Sequence, residues 1–131
     1  MKALLHHGVS TALTKRIKRQ LPSWLELAVA TPDDAATLSK QLKDTEVLFH
    51  VLTPVNRNLL DMAPRLQLIQ KIGVGVNTID LEEAARRGIF VTNMPGTNSQ
   101  AVAEMTLSLM LAALRRVVYF DLATKRGDGW R

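Results

Sequence analysis

The stretch that decides the fold is LQLIQKIGVGVNTIDLEEAARRGIFVTN, residues 66–93. It opens with an apolar run, Leu66–Ile72, which is typical of a buried strand. A glycine-containing turn leads into a helix predicted from about Asp80 to Arg87, with Gly88 at its C-cap position. A second apolar run over Ile89–Asn93 closes the stretch. This order predicts two parallel strands joined by a crossover helix.

The same alternation of strand and helix fills the chain before residue 66. The sequence predicts three earlier strands, at Lys2–His7, Leu25–Ala30 and Val47–Leu52. It also predicts three helices, at Ser10–Gln20, from Thr31 onward with Pro32 at N1, and at about Arg57–Ala63. Continuous apolar strands indicate a parallel sheet covered on both faces. We therefore predict an α/β fold with a doubly wound, flavodoxin-like sheet of five parallel strands, for which the order 2-1-3-4-5 is suitable.

The last third of the sequence predicts one long helix, from about Ser99 to Phe120, after a turn-rich break at residues 95–99. Asn98 lies at the N-cap position of this helix. The helix is apolar around most of its circumference, so we expect it to be buried, and we expect Glu104 within it to be paired or solvated. Its apolar run from Ala101 to Val118 should drive self-association.

The composition excludes several classes of protein. The 131 residues are 47% hydrophobic and 22% charged and contain no cysteine, which disfavours disorder, disulfide scaffolds and thiolate metal sites. The net charge of +5 raises the question of nucleic acid, but the basic cluster at residues 15–19 fits a solvated helix face and carries no stacking aromatics. No secretory signal and no membrane-spanning run is evident. We predict a soluble cytoplasmic protein with no nucleic-acid and no membrane partner.

The turn after the fourth strand is the main candidate site. Gly73-Val74-Gly75 at a strand end allows close approach of a ligand to the backbone, and successive N–H groups there form an anion-binding nest. The third glycine of a dinucleotide fingerprint is replaced by Thr78, and the turn belongs to the fourth βα unit, so a dinucleotide site is disfavoured. A tight turn without a ligand remains the alternative. Asp80 with Glu83 resembles a capping box.

The histidines give a weaker signal. His50 ends the third strand and should lie at the same carboxyl edge of the sheet, either as a packed residue or as a functional one. His6 and His7 are adjacent, so strand alternation directs them to opposite faces and disfavours a shared metal. The sequence contains no Ser-His-Asp arrangement, no paired-carboxylate spacing and no metal motif.

Residues 65–131 carry a specific resemblance. The matching segments, in order and at family spacing, are Arg65–Ile69, Gly73–Asp80, Ala84–Asn93, Asn98–Glu104, Arg115 and the Gly127–Trp130 ending. Together they resemble the N-terminal part of the D-isomer-specific 2-hydroxyacid dehydrogenases, the family of phosphoglycerate, glyoxylate/hydroxypyruvate and formate dehydrogenases. Asn77 departs from the pattern, since the family often has Asp there. Residues 1–64 match in their strand and helix layout and in the stretch after the third strand.

The resemblance implies roles for particular residues. It implies a two-domain enzyme with a substrate domain and a Rossmann domain for NAD. The backbone N–H groups of Val74 and Gly75 would hold the substrate carboxylate, and Asn98 would contact substrate at the hinge. His50 would line the pocket for the variable end of the substrate and would suit an anionic tail. The long helix, around Ala101 to Phe120, would cross into the NAD-binding domain and help to form a homodimer.

The resemblance also implies what this chain lacks. Residues 1–97 would be the substrate domain, and residues 98–131 the interdomain helix and the start of the NAD-binding domain. The family's catalytic Arg, Glu and His and its phosphate loop follow Arg131, so no catalytic, cofactor-binding or metal residue is expected in this chain. NAD or NADP is expected in the full-length enzyme and none bound to this chain, which is expected to be inactive alone. The alternatives are a free-standing carboxylate-binding module and a corepressor-like interaction domain.

Overall fold

A computed structural model describes residues 1–128 of the chain. The chain divides into two compact units, Met1–Pro95 and a second unit from Gly96 onward. Gly129 and Trp130, which contributed to the resemblance above, lie outside the described residues.

The first unit is built on a five-stranded parallel sheet. Its strands are β1 (Lys2–His6), β2 (Glu26–Ala30), β3 (Val47–His50), β4 (Leu68–Lys71) and β5 (Phe90–Thr92). The strands pair in the order β2-β1-β3-β4-β5, and every pair is parallel. The predicted α/β class and strand order are therefore confirmed. The strands are shorter than the apolar runs that predicted them, because pairing stops where the chain turns away from the sheet.

Four helices connect these strands: α1 (Thr11–Gln20), α2 (Ala35–Leu42), α3 (Arg57–Asp61) and α4 (Leu81–Arg86). The start of α2 differs from the prediction. Its N-cap is Asp34, whose side chain accepts a hydrogen bond of 2.9 Å from the backbone N–H of Thr37. Pro32 therefore precedes the helix instead of occupying N1, because a turn closed by the Asp34 N–H on the Thr31 carbonyl intervenes.

Helices cover both faces of the sheet. One face packs against α2, α3 and α4 through a cluster centred on the fully buried Leu4, Leu48 and Ile69. The other face packs against α1 through Ala3, Leu5 and Val47. Each fully buried leucine or isoleucine contributes about 1.5–3 kcal/mol relative to an exposed one. Successive side chains of a strand point to opposite faces of the sheet, so the position of a residue along its strand decides which helices it contacts.

The second unit contains two helices where the sequence predicts one. α5 spans Ser99–Leu114 and α6 spans Val117–Lys125, and Arg116 between them adopts a left-handed conformation with φ +52°. The prediction of a single continuous helix is therefore wrong, although helical structure does occupy the predicted span. Neither helix buries any of its residues within the chain, contrary to the expectation of a buried helix. No helix within residues 1–128 is long and apolar enough to cross a membrane.

Candidate functional site

The candidate site is the loop between β4 and α4, which we call the glycine loop (Gly73–Thr78). It begins where β4 ends, after the N–H of Ile72 donates to the His50 carbonyl at 2.8 Å. At its other end the N–H of Val55 donates to the Thr78 carbonyl at 2.8 Å, within a parallel bridge between Val55 and Ile79. Both ends of the loop are thus fixed to the backbone that follows β3, at the carboxyl edge of the sheet.

A third attachment ties the glycine loop to the segment that follows β5. The N–H of Met94 donates to the Gly73 carbonyl at 2.9 Å, and the side-chain amide of Asn93 donates to the Val74 carbonyl at 2.8 Å. The carbonyl groups at the start of the loop therefore point towards β5. These two hydrogen bonds hold the start of the loop through its carbonyl groups, so the N–H groups of the loop are not needed to hold it in place.

The middle of the glycine loop offers four successive unpaired donors. The backbone N–H groups of Val74, Gly75, Val76 and Asn77 donate to no acceptor within residues 1–128. These residues are exposed or half-buried, so this part of the loop lies at the surface of the first unit. A run of N–H groups at a strand end forms a concave site with positive partial charge, suited to an anion such as a carboxylate.

The two glycines have different reasons to be present. Gly73 has φ +144°, a conformation that L side chains rarely adopt. A Cβ atom added to Gly75 would lie 3.2 Å from the Oδ1 atom of Asn77, which is tighter than an ordinary contact. The side chain of Asn77 therefore packs close to the backbone of Gly75.

His50 lies directly beneath the loop. Its side chain is fully buried, and its Nε2 atom is hydrogen-bonded to Thr78 Oγ1 at 2.8 Å, while Nδ1 has no partner within residues 1–128. Burial, together with the charge of Lys71 and the neighbouring His6, lowers the pKa of His50 from 6.5 to about 4. The ring is therefore neutral at pH 7. In this conformation the ring is buried and contacts Thr78. The role of His50 beside the variable end of the substrate stays a prediction.

His6 and Lys71 flank His50 in register on the two neighbouring strands. His6 is buried with both ring nitrogens unpartnered within residues 1–128, and burial, followed by the charge of His7, lowers its pKa. His7 lies just beyond β1 and is half-buried. Lys71 is 6% exposed, and its ammonium donates to the Val51 carbonyl. We call His6, His50 and Lys71 the basic row.

Asn98 and Glu104 belong to the second unit. Asn98 occupies the N-cap position of α5, and its carbonyl accepts from the Val102 N–H at 2.9 Å, but its side chain makes no capping hydrogen bond. Its exposed amide is therefore not committed to the helix. Glu104 is exposed to solvent, which agrees with the expectation that it is paired or solvated. It also accepts a hydrogen bond of 2.9 Å from the side chain of Gln100.

The start of α4 does not fit a dinucleotide. Asp80 caps the helix by accepting from the Glu83 N–H at 3.0 Å, and Glu82 and Glu83 add two carboxylates to the first turn. The carboxylates of Asp80 and Glu82 at the helix N-terminus oppose a pyrophosphate, which requires free N–H groups there.

The predicted capping box is only half formed. The Asp80 N–H donates to the Val55 carbonyl, so it is not available to Glu83. Glu83 instead binds the guanidinium groups of Arg86 and Arg87, and these hydrogen bonds lower the pKa of Glu83 to about 2. Arg87 also pairs with Asp61 of α3, which connects the two helices.

Sequence reasoning missed Thr78 and Lys71. No sequence signal pairs Thr78 with His50, 28 residues earlier. Lys71 did carry a signal, because it shares strand parity with the buried Ile69 and is thus a charged residue at a core-facing position. Within the described part of the chain, no group of three or more His, Cys, Asp or Glu residues is placed to hold a metal ion.

Comparison with known families identifies the class of protein. The family described as D-isomer specific 2-hydroxyacid dehydrogenase, catalytic domain, matches residues 3–127. Because the match spans nearly the whole chain, the chain belongs to this family.

Individual relatives agree with this assignment. Glyoxylate reductase from Aeropyrum pernix is 42% identical over 101 residues, which are 76% of this chain and 30% of that protein. D-3-phosphoglycerate dehydrogenase from Methanocaldococcus jannaschii is 40% identical over 104 residues, 79% of this chain and 20% of that protein. The chain thus spans less than a third of the length of these two relatives.

Solved structures share the fold. The TT0316 protein from Thermus thermophilus superposes with a TM-score of 0.79 and 31% identity, covering 97% of this chain and 41% of that one. D-lactate dehydrogenase from Aquifex aeolicus, solved with NAD and lactic acid, gives a TM-score of 0.82 over 98% of this chain and 38% of that one. At 23% identity, the second likeness shows the fold alone.

Proposed function

We propose that this chain is the substrate-binding portion of an NAD- or NADP-dependent dehydrogenase that interconverts a 2-oxo acid and a D-2-hydroxy acid. The observation that carries the proposal is the run of four unpaired N–H groups in the glycine loop, in a chain of this family. The N–H groups of Val74 and Gly75 would hold the substrate carboxylate, and the side chain of Asn98 would also contact the substrate.

The arrangement supports binding and orientation of the substrate. A carboxylate held by two adjacent N–H groups has a fixed direction, which positions the neighbouring 2-oxo carbon for reaction. Hydride transfer also requires a bound nicotinamide and a proton donor, which would come from an NAD-binding domain. We propose that residues 1–97 form the substrate domain and that residues 98–131 lead into an NAD-binding domain, which supplies the catalytic Arg, Glu and His.

The binding site is tested by NMR titration of the 131-residue chain labelled with ¹⁵N. Glyoxylate should shift the amide signals of residues 74–77 in a saturable way, while the uncharged analogue glycolaldehyde should not. Saturable shifts confined to other parts of the chain, or no shifts at all, would refute the carboxylate site.

An activity assay tests whether catalysis requires an NAD-binding domain in addition to this chain. The pure 131-residue chain should not oxidise NADH with glyoxylate, hydroxypyruvate or pyruvate, because the proposal assigns the dinucleotide site to a separate NAD-binding domain. A full-length glyoxylate reductase serves as the positive control. Detectable turnover by the chain alone, which grows with its concentration, would contradict the proposal.

We also propose that the protein works in the cytoplasm as a homodimer or self-associating species, with contacts through the helices between Ala101 and Phe120. Large apolar side chains along this span are exposed, and such surfaces rarely persist on monomers.

A further inference from the structure

The basic row contains a buried positive charge without a carboxylate partner. The Lys71 side chain is 6% exposed, and no carboxylate within residues 1–128 lies within 4.0 Å of its ammonium. Its only described partner is the Val51 carbonyl. A buried ammonium with one neutral acceptor is costly, because the carbonyl does not neutralise its charge.

Lys71 is placed directly under the start of the glycine loop. A Cβ atom built on Gly73 would lie 3.5 Å from Cε of Lys71, so the start of the loop lies close to the end of this side chain. On the other side of Lys71, His50 holds the far end of the loop through Thr78. Lys71 and His50 therefore lie next to the two ends of the glycine loop.

The neighbours of Lys71 cannot supply the missing negative charge. His50 is buried and uncharged at pH 7, and Thr78 is a neutral hydroxyl. Asp80, which follows the loop, is committed to capping α4. An anion bound on the loop would therefore be the counter-charge that this ammonium lacks. Because the ammonium is buried, its attraction to the anion would be stronger than that between two charges in bulk water.

We propose that Lys71 supplies the positive charge that completes the carboxylate site of the glycine loop. This inference rests on the proposed function, since it concerns the same ligand. The loop N–H groups give the site its direction, and Lys71 gives it net charge. The two together make the site selective for an ionised acid over an uncharged carbonyl compound of the same size.

The test is to compare three substitutions in the 131-residue chain by the glyoxylate titration described above. Lys71→Gln removes the charge but keeps a donor for the Val51 carbonyl, and it should weaken binding about tenfold or more. Lys71→Arg keeps the charge and should stay within about threefold of the wild type. Lys40→Gln removes an exposed lysine from α2 and should leave binding unchanged.

The outcomes separate this inference from the proposed function. A wild-type chain that binds no glyoxylate overturns both. A wild-type chain that binds, together with Lys71→Gln that binds equally well, overturns the role of Lys71 and leaves the loop site standing. If Lys71→Gln does not fold, Lys71→Met, which preserves the length and apolar stem of the side chain, replaces it in the same comparison. Equal weakening by Lys71→Arg and Lys71→Gln also overturns the role, because it would show that shape and not charge matters.

Discussion

At the residue scale, His50 couples the candidate site to pH. The pKa of His50 is about 4 in the folded chain and about 6.5 when unfolded, so between these values the unfolded state binds more protons. Stability should therefore fall as the pH drops from 6.5 towards 4, by roughly 2–3 kcal/mol from this residue alone. The pKa of His6 is also lowered, so His6 should likewise reduce the stability of the folded chain as the pH falls.

This prediction is checked by urea unfolding at pH 7.0, 6.0, 5.0 and 4.5. His50→Gln keeps a side chain that can bond Thr78 but cannot titrate, so its stability should depend less steeply on pH than that of the wild type. Lys40→Gln, which alters an exposed lysine of α2 and no histidine, should keep the wild-type slope. Identical slopes for the wild type and His50→Gln would contradict the neutral buried imidazole.

Part of the residue-scale detail was predictable from the sequence. The position of His50 at the carboxyl edge follows from the end of an apolar run, and its burial follows from its shared parity with Leu48. The contact with Thr78 does not, because it depends on how the glycine loop folds back across the sheet. Apolar periodicity describes a strand and its faces, whereas a loop contact between distant segments leaves no periodic trace.

At the element scale, α4 holds one end of the glycine loop, and its stability rests on its N-cap. Asp80→Ala removes the acceptor for the Glu83 N–H and should destabilise the chain by about 1 kcal/mol. The measurement is the free energy of unfolding in urea at pH 7. Asp33→Ala is the matched control, since this exposed carboxylate caps no helix, and its effect should be within about 0.5 kcal/mol.

A loss of 1 kcal/mol or more in both variants would indicate a general effect of charge and would contradict the role of the cap. No loss in Asp80→Ala would show that α4 is held by the ion pairs of Glu83 and Arg87 instead.

The elements themselves were largely predictable, with one instructive exception. All five strands and the first four helices follow from alternation of apolar runs and cap residues. The break between α5 and α6 does not, because it falls at Arg115 and Arg116 with no glycine or proline to mark it. Arg116 takes the left-handed conformation while its guanidinium lies 4.4 Å from the centre of the Tyr119 ring, a contact that helps to hold the break.

At the scale of the whole molecule, the second unit predicts self-association. α5 and α6 carry large exposed apolar side chains, among them Leu107, Leu111 and Val118. Light scattering coupled to size exclusion should give a mass above that of a monomer, rising with concentration. Leu107→Gln together with Leu111→Gln should shift the distribution towards monomer, and Lys125→Gln should not. A strictly monomeric wild type at high concentration, with α5 helical, would contradict the prediction.

The attachments of the glycine loop have a consequence for hydrogen exchange. The loop is fixed at Gly73 by the Met94 N–H and at Thr78 by the Val55 N–H, so its backbone does not need to unfold to expose its donors. In deuterated buffer, the amides of residues 74–77 should exchange at nearly the rate of a free peptide, while those of Val55 and Ile72 remain protected. Addition of glyoxylate should slow the hydrogen exchange of residues 74–77 and leave that of Val55 and Ile72 unchanged. Slow exchange throughout the loop before any acid is added would mean that its donors are already occupied.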